Sequence, residues 1–72
     1  MSDTKQPDEY FIVSPDLEDY DATIKRMNLP PGQCFYCADH NEAWHDVKTN
    51  TAQGINAAII VSTEYRKKRE EA

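Results

Sequence analysis

A chain of 72 residues with 13 acidic and 8 basic side chains carries a formal net charge of −5. A domain of this length buries only about 60% of the surface that its unfolded chain exposes, so we expect a small stability that association between copies would increase. The excess of acids disfavours the phosphate backbone of nucleic acids as a direct partner.

The chain contains two cysteines, which are too few for the disulfide framework of a small secreted domain. No apolar run approaches the roughly 18 residues that cross a bilayer, and no cleavable apolar leader is recognisable. We therefore expect a cytoplasmic protein in a reducing compartment, with no membrane partner.

The first nine residues are polar, and residues 1–9 are predicted to be a flexible acidic arm that precedes a single α/β domain, residues 10–72. Residues 10–13 are aromatic or β-branched and predict the first strand. Ser14 and Pro15 then favour a helix start, because Ser caps free amides and Pro suits the first turn. This helix is expected to bury four apolar residues at helical spacing: Leu17, Tyr20, Ile24 and Met27.

A second apolar run, about residues 33–38, predicts the second strand. Asp39 or Asn41 is then placed to cap a short helix. The residues of this helix that are expected to face inward are Ala43, Trp44 and Val47. Residues 49–56 predict a loop that turns at Gly54.

Residues 57–61 form the most apolar run and are predicted to be the central strand, followed by a short charged helix. Strands that alternate with helices imply right-handed crossovers and a parallel sheet. The predicted fold is therefore α/β, a small three-stranded parallel sheet in β-α-β-α-β-α order with flanking helices. An unpaired edge strand would remain, which favours a homo-oligomer.

The middle of the chain holds the residue types of a tetrahedral zinc site, at Cys34, Cys37, His40 and His45. Side chains alternate along a strand, however, so Cys34 and Cys37 are expected on opposite faces of the sheet. We therefore predict buried, apolar cysteines, and keep a small zinc-binding domain as an alternative.

Polar residues follow each predicted strand, where open parallel sheets bind ligands. They are Ser14, Asp39, His40, Ser62 and Thr63. These residues predict, as an alternative function, a site for a small polar molecule at this edge, completed at a subunit interface if the chain is an oligomer. No glycine-rich phosphate loop, Ser elbow or paired-carboxylate motif accompanies them, so we expect neither a cofactor nor an enzyme.

The negative charge is concentrated before residue 22, where seven acids oppose one lysine. Four of these acids fall at the start of the first helix, at Asp16, Glu18, Asp19 and Asp21. Tyr65 lies among charges beyond the last strand, where an aromatic ring suits an interface. We predict a non-enzymatic interaction module that uses these five residues to bind a basic protein surface.

Three segments carry a resemblance to a known group of proteins: Ile12-Val13-Ser14-Pro15-Asp16, Leu29-Pro30-Pro31-Gly32 and Ala58-Ile59-Ile60-Val61-Ser62. In layout, residues 10–66 resemble small α/β accessory proteins encoded by bacteriophages. The chain has Gln53-Gly54-Ile55 where such proteins often carry a Leu-Arg-Gly-like element. The resemblance implies a phage-type inhibitor or modulator that acts on a host or defence protein in the host cytoplasm, and it assigns no functional residue.

Overall fold

The three apolar runs form strands and the segments after them form helices. In a computed structural model, which describes residues 7–71, the strands are β1 (Glu9–Val13), β2 (Cys34–Cys37) and β3 (Ala57–Val61). The helices are α1 (Leu17–Met27), α2 (His40–Ala52) and α3 (Thr63–Glu71), and a short 3-10 turn precedes β2. Both strand pairs are parallel, so the predicted α/β fold with a three-stranded parallel sheet is confirmed.

The strand order is β2-β1-β3, which corrects the prediction that residues 57–61 form the central strand. Phe11, Ile12 and Val13 of β1 are buried, whereas all five residues of β3 are only half-buried. The apolar composition of β3 reflects its contacts with the apolar clusters on both faces of the sheet rather than neighbouring strands on both sides. A strand between two helical layers needs apolar residues whether it is central or at an edge.

The sheet separates two apolar clusters. On one face, Ile24 of α1 packs with Ile12 and Cys34. On the other face, Ala43 of α2 packs with Phe11, Val13 and Cys37. The half-buried Tyr65 packs against this second cluster. The domain thus has three layers, with α1 on one side and α2 and the start of α3 on the other.

The domain begins before residue 10. Glu9 is the first residue of β1, and the Asp8 amide donates to the carbonyl of Asn56 at 2.7 Å. Asn50 on α2 also donates a side-chain hydrogen bond to Glu9. The boundary predicted for the acidic arm is therefore too late by at least two residues, and residues 1–6 lie outside the described part of the chain.

Helix α1 begins two residues later than predicted. Its cap is Asp16, whose Oδ1 accepts the amide of Asp19 at 2.8 Å. Ser14 does not cap the helix, because its own amide still donates to the carbonyl of Cys37 in the sheet. Asn28, in the left-handed conformation with φ 55°, ends the helix.

The predicted apolar stripe of α1 is only half correct. Ile24 is buried and Tyr20 is half-buried, but Leu17 and Met27 are 64% and 49% exposed. The helix contacts the sheet through its middle turns, where Thr23 is buried and donates its hydroxyl to the Asp19 carbonyl. Its two ends extend beyond that contact, so Leu17 remains on the surface.

Helix α2 is longer than predicted and buries fewer residues. It starts at the predicted cap Asp39 and continues to Ala52, through residues that were expected to form a loop. No helix breaker occurs before Gly54, which adopts a positive φ of 87° as the predicted turn point. Ala43 faces the sheet, but Trp44 is 48% exposed rather than inward, because it lies on the flank of the helix beside His40.

Candidate functional site

The ends of β1 and β3 meet at the carboxyl edge of the sheet. The Ser62 amide donates to the Val13 carbonyl at 2.9 Å, and both Ser14 and Ser62 are buried. Their hydroxyls serve the backbone, since Ser14 Oγ donates to the Asp16 carbonyl and Ser62 Oγ accepts the Tyr65 amide. The expectation that these two serines face a ligand is therefore corrected: they shape the chain turns into α1 and α3.

A polar crevice of about 370 Å³ lies at the same edge, between the start of α2 and α3. Its lining residues are Asp39, His40, Asn41, Tyr65 and Arg69. Asp39 and His40 were predicted for a site at this edge, and Thr63 lies exposed at the first position of α3. Asn41 and Arg69 were missed. Arg69 lies four residues after Tyr65 and therefore on the same face of α3. A prediction that Tyr65 packs beside the start of α2 would have identified Arg69 as well.

The crevice offers both hydrogen-bond donors and hydrogen-bond acceptors. Asp39 is engaged as the cap of α2, with Oδ1 accepting the Glu42 amide at 2.8 Å. Glu42 in turn accepts the Ala38 amide, which closes the turn between β2 and α2. The guanidinium of Arg69 and the ring of His40 remain able to contact a small polar molecule.

The two cysteines lie on opposite faces of the sheet, as the strand periodicity predicts. Cys34 packs with the α1 cluster and donates through Sγ to the Pro30 carbonyl, whereas Cys37 packs with the α2 cluster. His45 is exposed on α2. The set Cys34, Cys37, His40 and His45 therefore cannot surround one ion, and within residues 7–71 no cluster of His, Cys, Asp or Glu is arranged to hold a metal.

Burial keeps both thiols protonated at neutral pH. It raises the pKa of the Cys34 thiol, and it raises the pKa of Cys37 to about 11. The carboxylates of Glu42, Asp46 and Asp39 add to the shift at Cys37 by opposing a second negative charge. Neither thiol is poised as a nucleophile at pH 7, because the reactive species is the thiolate.

The raised pKa of Cys37 predicts a loss of stability at alkaline pH. Below its ordinary value of 9.0 the thiol is protonated in both the folded and the unfolded chain. Between pH 9 and 11 only the unfolded chain loses the proton, so the free energy of unfolding falls, by about 1–2 kcal/mol once solvent screening is allowed for. Urea denaturation at pH 8 and pH 11 measures this fall. Cys37→Ala should show a shallower pH dependence, and identical slopes for the two proteins would contradict the assignment.

Six residues of α1 form a second surface, which we call the α1 groove. Leu17, Glu18, Tyr20 and Asp21 line it together with Ala22 and Lys25, over a volume of about 640 Å³. The two acids are exposed, as is Leu17. The surface thus combines an exposed apolar side chain with two carboxylates and one ammonium group.

The predicted acids of α1 divide into two pairs with different surroundings. Glu18 and Asp21 line the groove, whereas Asp16 caps the helix and Asp19 is half-buried. Asp19 Oδ2 is buried and has no hydrogen-bond partner among the described residues. Sequence spacing alone did not separate these pairs, because the cap position was assigned two residues too early.

Tyr20 anchors the groove to the sheet. Its ring meets that of Tyr36 edge to face, with centroids 5.7 Å apart. Burial raises its pKa, with smaller contributions from the neighbouring Cys34, Asp21 and Cys37. The Tyr20 side chain in the groove is therefore held in place by an aromatic contact, which limits the entropy lost on binding.

Tyr65 does not join the α1 groove. It is half-buried against the cluster of Phe11, Val13, Cys37 and Ala43, on the face of the sheet opposite α1. The five residues predicted to bind a partner therefore do not lie on one surface.

No helix among the described residues is both long and apolar enough to cross a membrane. No protein-family model, curated protein or solved structure matches the chain.

Proposed function

We propose that the chain is a non-enzymatic interaction module that binds a basic surface of another protein through the α1 groove. The observation that carries this proposal is the 64% exposure of Leu17 on the same helix surface as the exposed acids Glu18 and Asp21. An exposed apolar side chain beside two carboxylates fits a partner with an apolar contact next to lysine or arginine.

The charge of the groove is poorly neutralised within the chain. Lys25 approaches Asp21 at 3.8 Å, but both side chains are largely exposed to solvent. Such pairs contribute little, about 0.3–0.5 kcal/mol along a helix. Both carboxylates therefore remain available to attract a cationic partner.

The helix that presents the groove is held at both ends. Asp16 caps its start, and at its end the Asn28 and Leu29 amides donate to carbonyls of the last turn. A rigid helix face loses little entropy on binding. Rigidity and charge together support a binding surface at this position.

We further propose that the partner is a host or defence protein and that the chain inhibits or modulates it. The support for this step is the resemblance in layout to small phage accessory proteins, in the strand, corner and closing-strand segments named above. The acidic groove supplies the contact, and the small size of the domain suits a blocking role.

A photo-crosslinker placed at Leu17 tests the proposal. Leu17→p-benzoylphenylalanine should capture a specific protein with a basic surface in host cells upon irradiation. The matched control is Trp44→p-benzoylphenylalanine, since Trp44 has comparable exposure on the opposite face. Capture from position 44 and none from position 17 would contradict the proposal.

A second candidate function is the binding of a small polar molecule in the crevice between α2 and α3. The observation that favours it is the convergence of His40, Tyr65 and Arg69 at the edge where parallel sheets bind ligands. A ligand found by thermal shift should raise the melting temperature of the wild type and not of Arg69→Gln. Equal shifts in both proteins would argue against this crevice.

A further inference from the structure

The outer edge of β3 presents backbone groups without a strand partner. The Glu9 amide donates to the Asn56 carbonyl, and the Ser62 amide donates to the Val13 carbonyl, so both ends of β3 are bonded to β1 through even-numbered residues. Backbone groups of successive strand residues point to alternate sides. The N–H and C=O groups of Ala57, Ile59 and Val61 therefore point away from β1, and the described sheet has no strand there.

Strand β3 lacks the features that normally protect an edge. It contains no charged residue, no proline and no bulge against β1, and its sequence is Ala-Ala-Ile-Ile-Val. All five residues keep part of their surface exposed to solvent, and no strand of the described chain pairs along the outer edge. An uncharged, regular and unpaired edge is a template for pairing with another strand.

The other edge of the sheet is protected. Strand β2 has only four residues, and the Cys34 amide is already bonded to the carbonyl of Pro31. Beyond its end, the Ala38 amide is bonded to Glu42. Only Tyr36 offers both an outward N–H and an outward C=O, which is too little to hold a partner strand.

We propose that β3 pairs in an antiparallel manner with β3 of a second copy of this chain, about a two-fold axis at Ile59. The three outward residues are symmetric about Ile59, so Ile59 exchanges both of its hydrogen bonds with its counterpart. Ala57 does the same with Val61 of the partner, and Val61 with Ala57 of the partner. The result is a continuous six-stranded sheet joined by a self-complementary contact, which a two-fold dimer requires.

Side chains across this junction are compatible. Ile59 lies beside its counterpart on the α2 face, and Ala58 lies beside the partner's Ile60 on the α1 face, so every cross-strand neighbour is apolar. No like charges oppose each other within the paired strands.

Charge beyond the strands also favours a second copy. The Asp8 carboxylate accepts the Asn56 amide at 3.3 Å, which places it at the start of β3. In an antiparallel pair this end lies beside the end of the partner's β3, where the partner's α3 begins. Helix α3 begins with Thr63 and Glu64 and then carries a run of four basic residues, Arg66, Lys67, Lys68 and Arg69, against three acids in all, so the helix that follows the partner's β3 has a net positive charge, opposite to that of Asp8.

Backbone N-methylation in a synthetic chain tests the proposal. Sedimentation equilibrium of the unmodified chain should show twice the 8.3 kDa chain mass as concentration rises. Methylation of the Ile59 nitrogen removes two hydrogen bonds at the axis and should raise the dimer dissociation constant at least about tenfold. The matched control is methylation of the Tyr36 nitrogen, the outward amide of β2, which should leave that constant within about twofold.

Several results would overturn the proposal. An unmodified chain that stays at 8.3 kDa up to millimolar concentration would do so, as would a folded N-methyl-Ile59 chain that dimerises normally. Dissociation caused by the Tyr36 modification alone would assign the contact to β2 instead.

If the N-methyl-Ile59 chain does not fold, NMR of the unmodified chain decides. In a sample of mixed isotope labelling we expect an Hα–Hα contact between Ala58 of one copy and Ile60 of the other, with slow exchange of the Ile59 amide. Absence of this contact in a solution of doubled mass would overturn the pairing. Slow exchange of the Ile59 amide in a monomeric sample would show that a segment of the same chain covers the edge of β3. That result would also overturn the pairing.

Discussion

Ile12→Ala is expected to leave the folded state barely stable at 25 °C, with a substantial fraction of the molecules unfolded. Ile12 is fully buried in the central strand and packs with Ile24 and Cys34. Truncation of such a residue costs about 3–4 kcal/mol, through lost transfer energy and the cavity that remains. A core of this size rarely supplies more than about 3–5 kcal/mol, so little stability is left.

The matched comparison is Ile60→Ala. Ile60 is the register partner of Ile12, lies on the same face of the sheet and loses the same atoms, but it belongs to the edge strand and is half-buried. We expect a loss of about 1–2 kcal/mol, because part of its surface already contacts water. The protein should remain folded.

Urea denaturation followed by far-UV circular dichroism measures both losses. The experiment belongs at concentrations where the chain is monomeric, since pairing of β3 would bury Ile60 further. A loss for Ile60→Ala that equals or exceeds that for Ile12→Ala would show that β3, rather than β1, is the centre of the sheet.

The positions of the three strands could be predicted from the sequence, but their order in the sheet could not. Short aromatic or β-branched runs separated by helical segments indicate buried strands, and all three were found within one residue of their predicted limits. In a three-layer fold, however, both faces of every strand contact helices or the side chains of an apolar cluster, whether the strand is central or at an edge. The apolar composition of a strand therefore indicates how well its two faces are covered, and it says little about which strands pair with it. For this reason residues 57–61 were wrongly predicted to form the central strand.

The start of α1 shows how tertiary pairing overrides a local signal. Ser14 and Asp16 are both good caps, and Pro15 favours the earlier one. The Ser14 amide is bonded to the Cys37 carbonyl of β2, so its backbone stays extended and the role passes to Asp16. That hydrogen bond joins residues 23 positions apart, and no local pattern encodes it.

The candidate sites were predictable to different degrees. Glu18 and Asp21 are local to one helix, and helical spacing places both on an exposed surface. The crevice between α2 and α3 depends on how α3 packs, and its Arg69 became visible only in three dimensions. Tyr65 misled the interpretation because its neighbours in sequence are charged while its ring packs on the sheet.

Reversal of the two groove acids is expected to weaken the binding of a partner captured through Leu17 by about a hundredfold. Glu18→Lys combined with Asp21→Lys places like charges against a basic surface, a juxtaposition that costs several kcal/mol at an interface. Asp16 and Asp19 stay unchanged in this variant, because the cap between them stabilises α1. Isothermal titration at two salt concentrations should also show that the salt dependence seen with the wild type is lost.

The control reverses two acids elsewhere. Glu64→Lys combined with Glu70→Lys changes the net charge by the same amount on α3, where both residues are exposed. A weak, solvent-exposed pair between Glu64 and Lys67 is its only described cost. If binding depends on the α1 groove, this control keeps nearly the wild-type affinity. Equal losses in the two variants would show that overall charge, and not the groove, determines the interaction, because only the position of the reversed charges differs between them.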